Sequence, residues 1–454
     1  RRQVATTRIK AISMATAKRQ RKSSNSEERK EVVTTYDLND GRHFANEFSD
    51  FGISGLDLKF LERSSDDCWR LSDDFRARLQ QALVHLLSRA TPDLTAMPTT
   101  DRSVYTGKAG IAHLFWHLAG SGLLPDSEHL LSNALNIMKE LYSQINCRRI
   151  SFLCGDSGVL SLTAVLHWKH GDRDLACRSL ERLLSLQTTA AADGPPNELL
   201  YGRSGYLFAL AFVASELADL SEDARRDIRA AARLVALRTL ADGAELWKQR
   251  IGRGDGLLFE WHDSVYFGAA HGLSGIVSVL ARILPSLGLS EVELSNARRR
   301  LDVTVDFLRQ RQFKSLNYPS SMGSDRDRLV HWCHGAPGFA LMFLCIDDLP
   351  AALQCADVVW HRGLLHKGDG LCHGISGNGY VFLRLHSATG DPRHLHRAAA
   401  FAQFMLNFPG RTPDRPLSLF EGLAGKLCFL VDLLRAESRR TLFPAAELPS
   451  YFAF

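Results

Sequence analysis

The chain has 454 residues, 45% of them hydrophobic and 23% charged, which excludes wholesale disorder, a collagen-like chain and a coiled-coil rod. The net charge of +5 sits wholly in residues 1–40, which hold ten basic and five acidic side chains, while residues 41–454 hold 45 of each sign. The body of the chain is therefore not a basic nucleic-acid binder, and no nucleic-acid partner is expected.

Residues 1–40 read as a basic extension outside the folded body. From Arg1 to about Glu31 they are rich in Ser, Thr and Ala and carry no aromatic residue, so disorder is expected. The plain reading is a tail, or an upstream stretch absent from the mature protein. Lys18–Lys22 and the Arg/Ser-rich composition are weak nuclear and mitochondrial signals. Nine scattered cysteines, an odd number with no apolar leader before them, argue against a disulfide framework and for a reducing, cytoplasmic setting.

From residue 41 onward the dominant feature is a repeat. Gly-x-x-Gly followed by an apolar run appears as GKAG at 107–110, GDSG at 155–158, GRSG at 202–205 and GLSG at 272–275. It continues as GAPG at 335–338, GISG at 374–377 and GLAG at 422–425. One such motif is weak; seven are not, because the same kind of segment follows each. IAHLFWHL, YLFALAFV and KLCFLVDLL are apolar nearly all round and predict buried helices. Between them lie amphipathic stretches, among them 75–87, Leu130–Tyr142 and Leu175–Leu186, which predict outer helices.

Taking the unit as outer helix, loop, Gly-x-x-Gly and inner helix, seven hairpins have a closed solution: an all-α fold, an α/α toroid with an inner and an outer helix ring spanning 41–454. The longer intervals, 205–272 and 275–335, carry loop-like inserts such as GRGDGLLFEWHD and NYPSSMGSD. Seven transmembrane helices are rejected, because a span needs about 20 apolar residues and each run lasts roughly ten. No transmembrane segment is expected, and peripheral membrane contact stays open.

If the repeats are equivalent, the residues just before each first glycine meet at one mouth. One residue before, the series is Thr106, Cys154, Tyr201, His271, His334, His373, Glu421. Two before, it is Tyr105, Leu153, Leu200, Ala270, Cys333, Cys372, Phe420. Two Cys-His pairs in register make a candidate zinc site, since zinc takes thiolate and imidazole. Spacing alone leaves open whether the set is Cys333, Cys372 and His373 or one that includes His334. Cys345, Cys355 and Cys428 read as packing residues, and Cys154 as a mouth thiol without evident partners.

HWCHGAPG at 331–338, GLLHKGDGLCHG at 363–374 and GAAHGLSG at 268–275 resemble the eukaryotic LanC-like proteins, relatives of the bacterial lanthionine synthetase C cyclases. FLCGDSG, ELLYGRSG, SLFEGLAG and the opening GRHFANEFSDF at 41–51 support the resemblance, which covers about 41–454, including the Phe-rich C-terminal residues. It implies an α/α toroid and one zinc ion held by Cys333, Cys372 and His373, with an incoming thiol in the fourth position. The implied reaction adds glutathione, as co-substrate, to dehydroalanine or dehydrobutyrine residues in proteins.

The resemblance also implies roles. His271 matches the family's acid/base histidine. Lys367 matches a lysine of the eukaryotic motif and is expected to stabilise the enolate or bind a glutathione carboxylate. Arg42 matches an arginine near the start of family members and is expected to anchor a carboxylate, and Glu198 lies near where the cyclases use an acidic group. The bacterial enzymes carry an arginine shortly before the first zinc cysteine and an aromatic after it; here Leu329 and His334 stand in those neighbourhoods, which argues against a ring-forming peptide cyclase. A glutathione-binding adaptor without turnover is the alternative reading. A glycosidase is disfavoured, since Glu421 has no second mouth carboxylate beside it in the register.

Overall fold

The computed structural model describes residues 41–52, 59–65, 67–408 and 411–436. The expected basic extension, 1–40, and the Phe-rich C-terminal residues lie outside the described residues. A short antiparallel pair, β1 (Leu61–Arg63) and β2 (Trp69–Leu71), precedes α1 (Asp73–Ala96). Next come α2 (Lys108–Ala119), α3 (Ser127–Ser143), α4 (Asp156–Lys169), α5 (Arg173–Ser185), the short α6 (Gln187–Ala191), α7 (Arg203–Glu216) and α8 (Glu222–Arg250). They are followed by α9 (Leu273–Ile283), α10 (Glu291–Arg309), α11 (Ala336–Cys345), α12 (Leu349–Arg362), α13 (Ile375–Thr389), α14 (Pro392–Asn407) and α15 (Leu423–Arg435).

The helices sort by their sequence pattern. In α4 every residue from Asp156 to His167 is buried, the few polar ones included, so the helix is enclosed on all sides. In α1 the buried residues are Phe75, Leu79, Leu83, Leu87, Ala90 and Leu94, a stripe at helical spacing with solvent on the other side. The apolar helices α2, α4, α7, α9, α11, α13 and α15 each pack on the next, and α15 packs on α2, so the inner ring closes. The amphipathic helices form the outer ring. The fold is the α/α toroid of seven hairpins that the repeat implies.

Packing differs from the chain-order unit in one respect. Each inner helix pairs with the outer helix that follows it, because that connection is short: only His170–Asp172 separates α4 from α5. The longer loop before each inner helix builds the mouth instead. α15 is left without a following outer helix among the described residues, and α1 takes that place. There Arg76 Nη1 donates to Leu434 O at 3.2 Å, tying the first helix to the last.

The two rings start their helices differently. All the outer helices but α3 use side-chain caps: Ser72, Asp172, Ser221, Asp348 and Asp391 each accept a backbone N–H from the first turn, and Ser290 with Glu293 forms a full capping box. Inner helices start at a glycine and are capped by main chain. The N–H of Lys108, Asp156, Arg203, Leu273, Ile375 and Leu423 donates to the carbonyl seven residues earlier, at 2.8–3.1 Å. This tight loop explains the second glycine of the motif. A Cβ on Gly377 would lie 1.8 Å from Leu371 O, and one on Gly158 1.9 Å from Phe152 O. The fifth repeat departs: Gly335 has φ +106°, a left-handed conformation, and Asn317 Oδ1 takes the N–H of Ala336 at 2.8 Å.

The third repeat carries a buried guanidinium in its motif. Arg203 donates to Ala190 O (2.7 Å), Pro195 O (2.8 Å), Ala192 O (2.6 Å), Asn197 Oδ1 (2.9 Å) and Asp242 Oδ2 (2.8 Å). It therefore joins α7 to α8 and to the loop after α6. Arg203→Ala leaves those acceptors without their donor and is expected to destabilise the fold by about 3–5 kcal/mol, read as a lower urea midpoint. Among the described residues no helix is long and apolar enough to cross a membrane.

Candidate metal centre and its surroundings

The residues two places before the first glycines meet as the repeat register predicts. Cys333 N donates to Cys372 O (3.3 Å), Cys372 N to Phe420 O (2.8 Å), Phe420 N to Tyr105 O (3.1 Å) and Tyr105 N to Leu153 O (3.0 Å). Main chain thus links neighbouring mouth loops side by side, and the side chains at these positions are held against one another by backbone rather than by their own chemistry.

Two of these positions are cysteines, and the result is a cluster. The ligand atoms of Cys333, Cys372 and His373 all lie within 4.8 Å of one another. All nine cysteines are free thiols, and Cys333 (8% exposed) and Cys372 (2%) are buried. Burial pushes the Cys372 thiol well above its ordinary pKa, the adjacent Cys333 sulfur pushes the same way, and His373 opposes them. Two buried sulfurs side by side ionise readily only when a cation joins them. The donor set fits zinc: bonds of about 2.3 Å to sulfur in a tetrahedron place ligand atoms about 3.8 Å apart, a small contraction from this arrangement. Of the sets that spacing left open, the one that converges among the described residues is Cys333, Cys372 and His373, and His334 is not part of it.

His334 sits beside the cluster. Burial, with the nearby His331, His271, His373 and Lys367, pushes its pKa down to about 4, so it is neutral at pH 7. His331 borders the cluster too, its Nδ1 4.0 Å from Cys333 Sγ. The Tyr105 phenol also borders the sulfurs: burial first, then Cys372 and Cys333, push its pKa well up, and its ring stacks on Phe420 at 4.9 Å.

His271, 22% exposed, is held by a carboxylate. Its Nδ1 lies 2.7 Å from Glu198 Oε2, and Glu198 is 2% exposed. Glu198 also accepts Leu200 N (3.0 Å) and Tyr201 N (2.6 Å), so the loop before α7 fixes its orientation. A carboxylate accepts but does not donate, so Nδ1 carries the proton and Nε2 is left for other chemistry. The Tyr266 ring spans the two histidines, 6.0 Å from His271 and 5.8 Å from His334.

The two cations of the sequence reading share a rim. Residues 42–44 pair with 364–366: Phe44 N donates to Leu364 O (2.7 Å), His366 N to Arg42 O (3.0 Å), and His43 bridges Leu365. This places Arg42, half-buried, beside the loop that carries the exposed Lys367. Lys367 is close enough to His334 to contribute to its lowered pKa.

Cys154 is not isolated, contrary to the sequence reading. Burial, then the charges of Glu198 and Asp101, push its thiol well up, while a hydrogen bond with Tyr201 opposes them. Tyr105, Tyr201 and Cys154 all stand in the mouth series, so the register itself was the signal that they belong here. His331, Trp261 and Tyr266 lie outside that series, and only the fold brings them in. Cys355 and Cys428 are buried as expected of packing residues, and Cys345 is half-buried.

A family model described as lanthionine synthetase C-like protein matches residues 98–448. The glutathione S-transferase LANCL1 of Danio rerio is 36% identical over 392 residues, 83% of this chain and 93% of that protein. The LanC-like protein GCL1 of Arabidopsis thaliana is 32% identical over 382 residues, 77% of this chain and 82% of that one. Among solved structures, nisin cyclase matches with a TM-score of 0.58 at 16% identity, covering 84% of this chain and 98% of that chain, a likeness of fold.

Proposed function

The chain belongs to the lanthionine synthetase C-like family, and from that premise we propose that it is a zinc-dependent enzyme adding the glutathione thiol to dehydroalanine or dehydrobutyrine residues of proteins. The observation that carries the reading is the convergence of Cys333, Cys372 and His373 beside the His271–Glu198 pair. The name of the Danio rerio relative supports glutathione as the thiol.

Zinc held by the two thiolates and the imidazole supplies positive charge that keeps an incoming thiol ionised at neutral pH, where a free thiol of pKa near 8.5 is only a few per cent thiolate. The sulfur forms a bond to the β-carbon of the alkene, and the π electron pair moves to the α-carbon and its carbonyl oxygen as an enolate. One proton leaves the thiol and one is delivered to the α-carbon, so no oxidant or reductant is needed. His271, held through Nδ1 by Glu198, carries that proton at Nε2. Tyr105, pressed against the sulfurs by Phe420, excludes water from the cluster.

Arg42 and Lys367 bind the glutathione carboxylates, and Lys367 also faces the developing enolate. Lys367→Ala is expected to raise the glutathione KM about tenfold, and Lys367→Ala with Arg42→Ala more, with zinc content unchanged; steady-state rates against glutathione concentration check this. We assign residues 41–454 to this catalytic domain and 1–40 to an appendage, and place the protein in the cytoplasm, where thiols stay reduced. The direct test mixes the zinc-loaded full chain with glutathione and a dehydroalanine peptide. An adduct with the summed mass of both is expected, and its absence overturns the enzymatic reading.

A further inference from the structure

The repeat leaves over two inserts, GRGDGLLFEWHD and NYPSSMGSD, that no helical hairpin needs. The segment just after the first insert, 265–267, pairs with the second, next to His271. Tyr266 bridges Ser321, Phe267 N donates to Ser320 O (3.0 Å) and Met322 N donates to Val265 O (2.8 Å). The first insert ends in a tight turn that holds Trp261: Trp261 N donates to Ser264 O (2.9 Å) and Ser264 N to Trp261 O (3.1 Å). The two turn residues, His262 (φ +46°) and Asp263 (φ +57°), are left-handed without being glycine. Such positions persist where the surroundings hold them, and they gather at ligand clamps.

What the turn presents is an aromatic facet. The rings of Tyr201, Trp261 and His271 are near-parallel, with centroids 5.8 Å (Tyr201–Trp261), 6.0 Å (Tyr201–His271) and 6.2 Å (Trp261–His271) apart. Tyr201 is 46% exposed, far more than a ring serving only the core, and Met322 on the second insert is 40% exposed.

We infer that Tyr201 and Trp261 form a subsite for the side chain next to the reacting dehydroamino acid, and that they select an apolar or aromatic residue there. The inference rests on the addition reaction proposed above. If His271 delivers a proton to the α-carbon, the reacting residue lies against its ring. The next residue of an extended substrate has its Cα about 3.8 Å away. Its side chain then falls on rings whose centroids are about 6 Å from the imidazole, and a planar apolar group stacks there best. The acceptor is therefore an unfolded segment of polypeptide, read one residue to the side of the alkene.

The test is an internal competition. The zinc-loaded full chain receives glutathione and an equimolar mixture of two peptides that differ only in carrying Phe or Gly on both sides of a dehydroalanine. Mass spectrometry reads the ratio of adducts, which does not depend on the active fraction of a preparation. The wild type is expected to favour the Phe peptide about tenfold, about 1.4 kcal/mol. Trp261→Ala and Tyr201→Ala are each expected to bring the ratio below threefold. Adducts formed without preference, a preference kept by both variants, or a stronger preference for Lys- or Asp-flanked peptides overturn the inference while leaving the reaction intact. No adduct with any peptide overturns the reaction and the inference together.

Discussion

Cys372→Ala is expected to abolish zinc binding and, with it, glutathione addition. Second-sphere partners of a metal site already contribute 10–100-fold to affinity, so removing a direct thiolate is expected to weaken zinc by more than about a hundredfold. The protein purified without added metal should then fall from about one zinc per chain to nearly none. The fold should survive, because what places this residue is main chain: its N–H on Phe420 O and its carbonyl under Cys333 N are untouched by the substitution. Removing the thiol also relieves a buried pair of sulfurs that oppose each other's ionisation. Cys333→Ala is expected to behave alike. Cys428→Ala is the control. It removes an equally buried thiol from α15, outside the converging set, and should keep full zinc while losing about 1 kcal/mol of stability. Full zinc in Cys372→Ala or Cys333→Ala overturns the ligand assignment.

Why these two cysteines were legible in the sequence, while their surroundings were not, follows from how the fold is built. The toroid repeats one local solution, a main-chain-capped helix behind a tight loop, and that loop demands glycine at fixed spacing because a side chain would strike a carbonyl 1.8–2.4 Å away. Steric necessity of this kind survives in a single sequence, so register alone placed Cys333 beside Cys372. Register also placed Tyr105 and Tyr201 at the mouth, though nothing in the sequence marked them off from ordinary core aromatics. Trp261 and Met322 could not be read at all. They sit on inserts of unequal length, and their position depends on the pairing of 265–267 with 320–322, a long-range contact with no periodic trace. The pairing of each inner helix with the outer helix that follows depends likewise on which connection is short, and the closure of α1 on α15 joins opposite ends of the chain.

His271→Asn is expected to lower kcat by about 10²–10⁴-fold with zinc content and glutathione KM unchanged, because asparagine fits the mouth but carries no proton. The Glu198 pairing makes a second, sharper expectation. Its two oxygens accept three N–H groups, from Leu200, Tyr201 and His271. Glu198→Gln replaces one oxygen with an NH₂, so at least one of those donors meets a donor. If Tyr201 N keeps the oxygen, the amide takes the place shared by Leu200 N and His271, turns its N–H toward His271 Nδ1 and imposes the opposite tautomer, with the proton on Nε2. If the imidazole keeps the oxygen, the loop before α7 loses a bond at Tyr201, whose hydroxyl also borders Cys154. Either way a loss of about 10–100-fold in kcat is expected, smaller than for His271→Asn because the imidazole remains. Substituting both should cost no more than His271→Asn alone, since Glu198 acts through the histidine; single-turnover rates on the double variant check this. Additive losses would mean that Glu198 touches the substrate itself. Unchanged adduct formation in His271→Asn removes the histidine from the reaction and leaves the Cys333, Cys372 and His373 cluster as the whole of the chemistry.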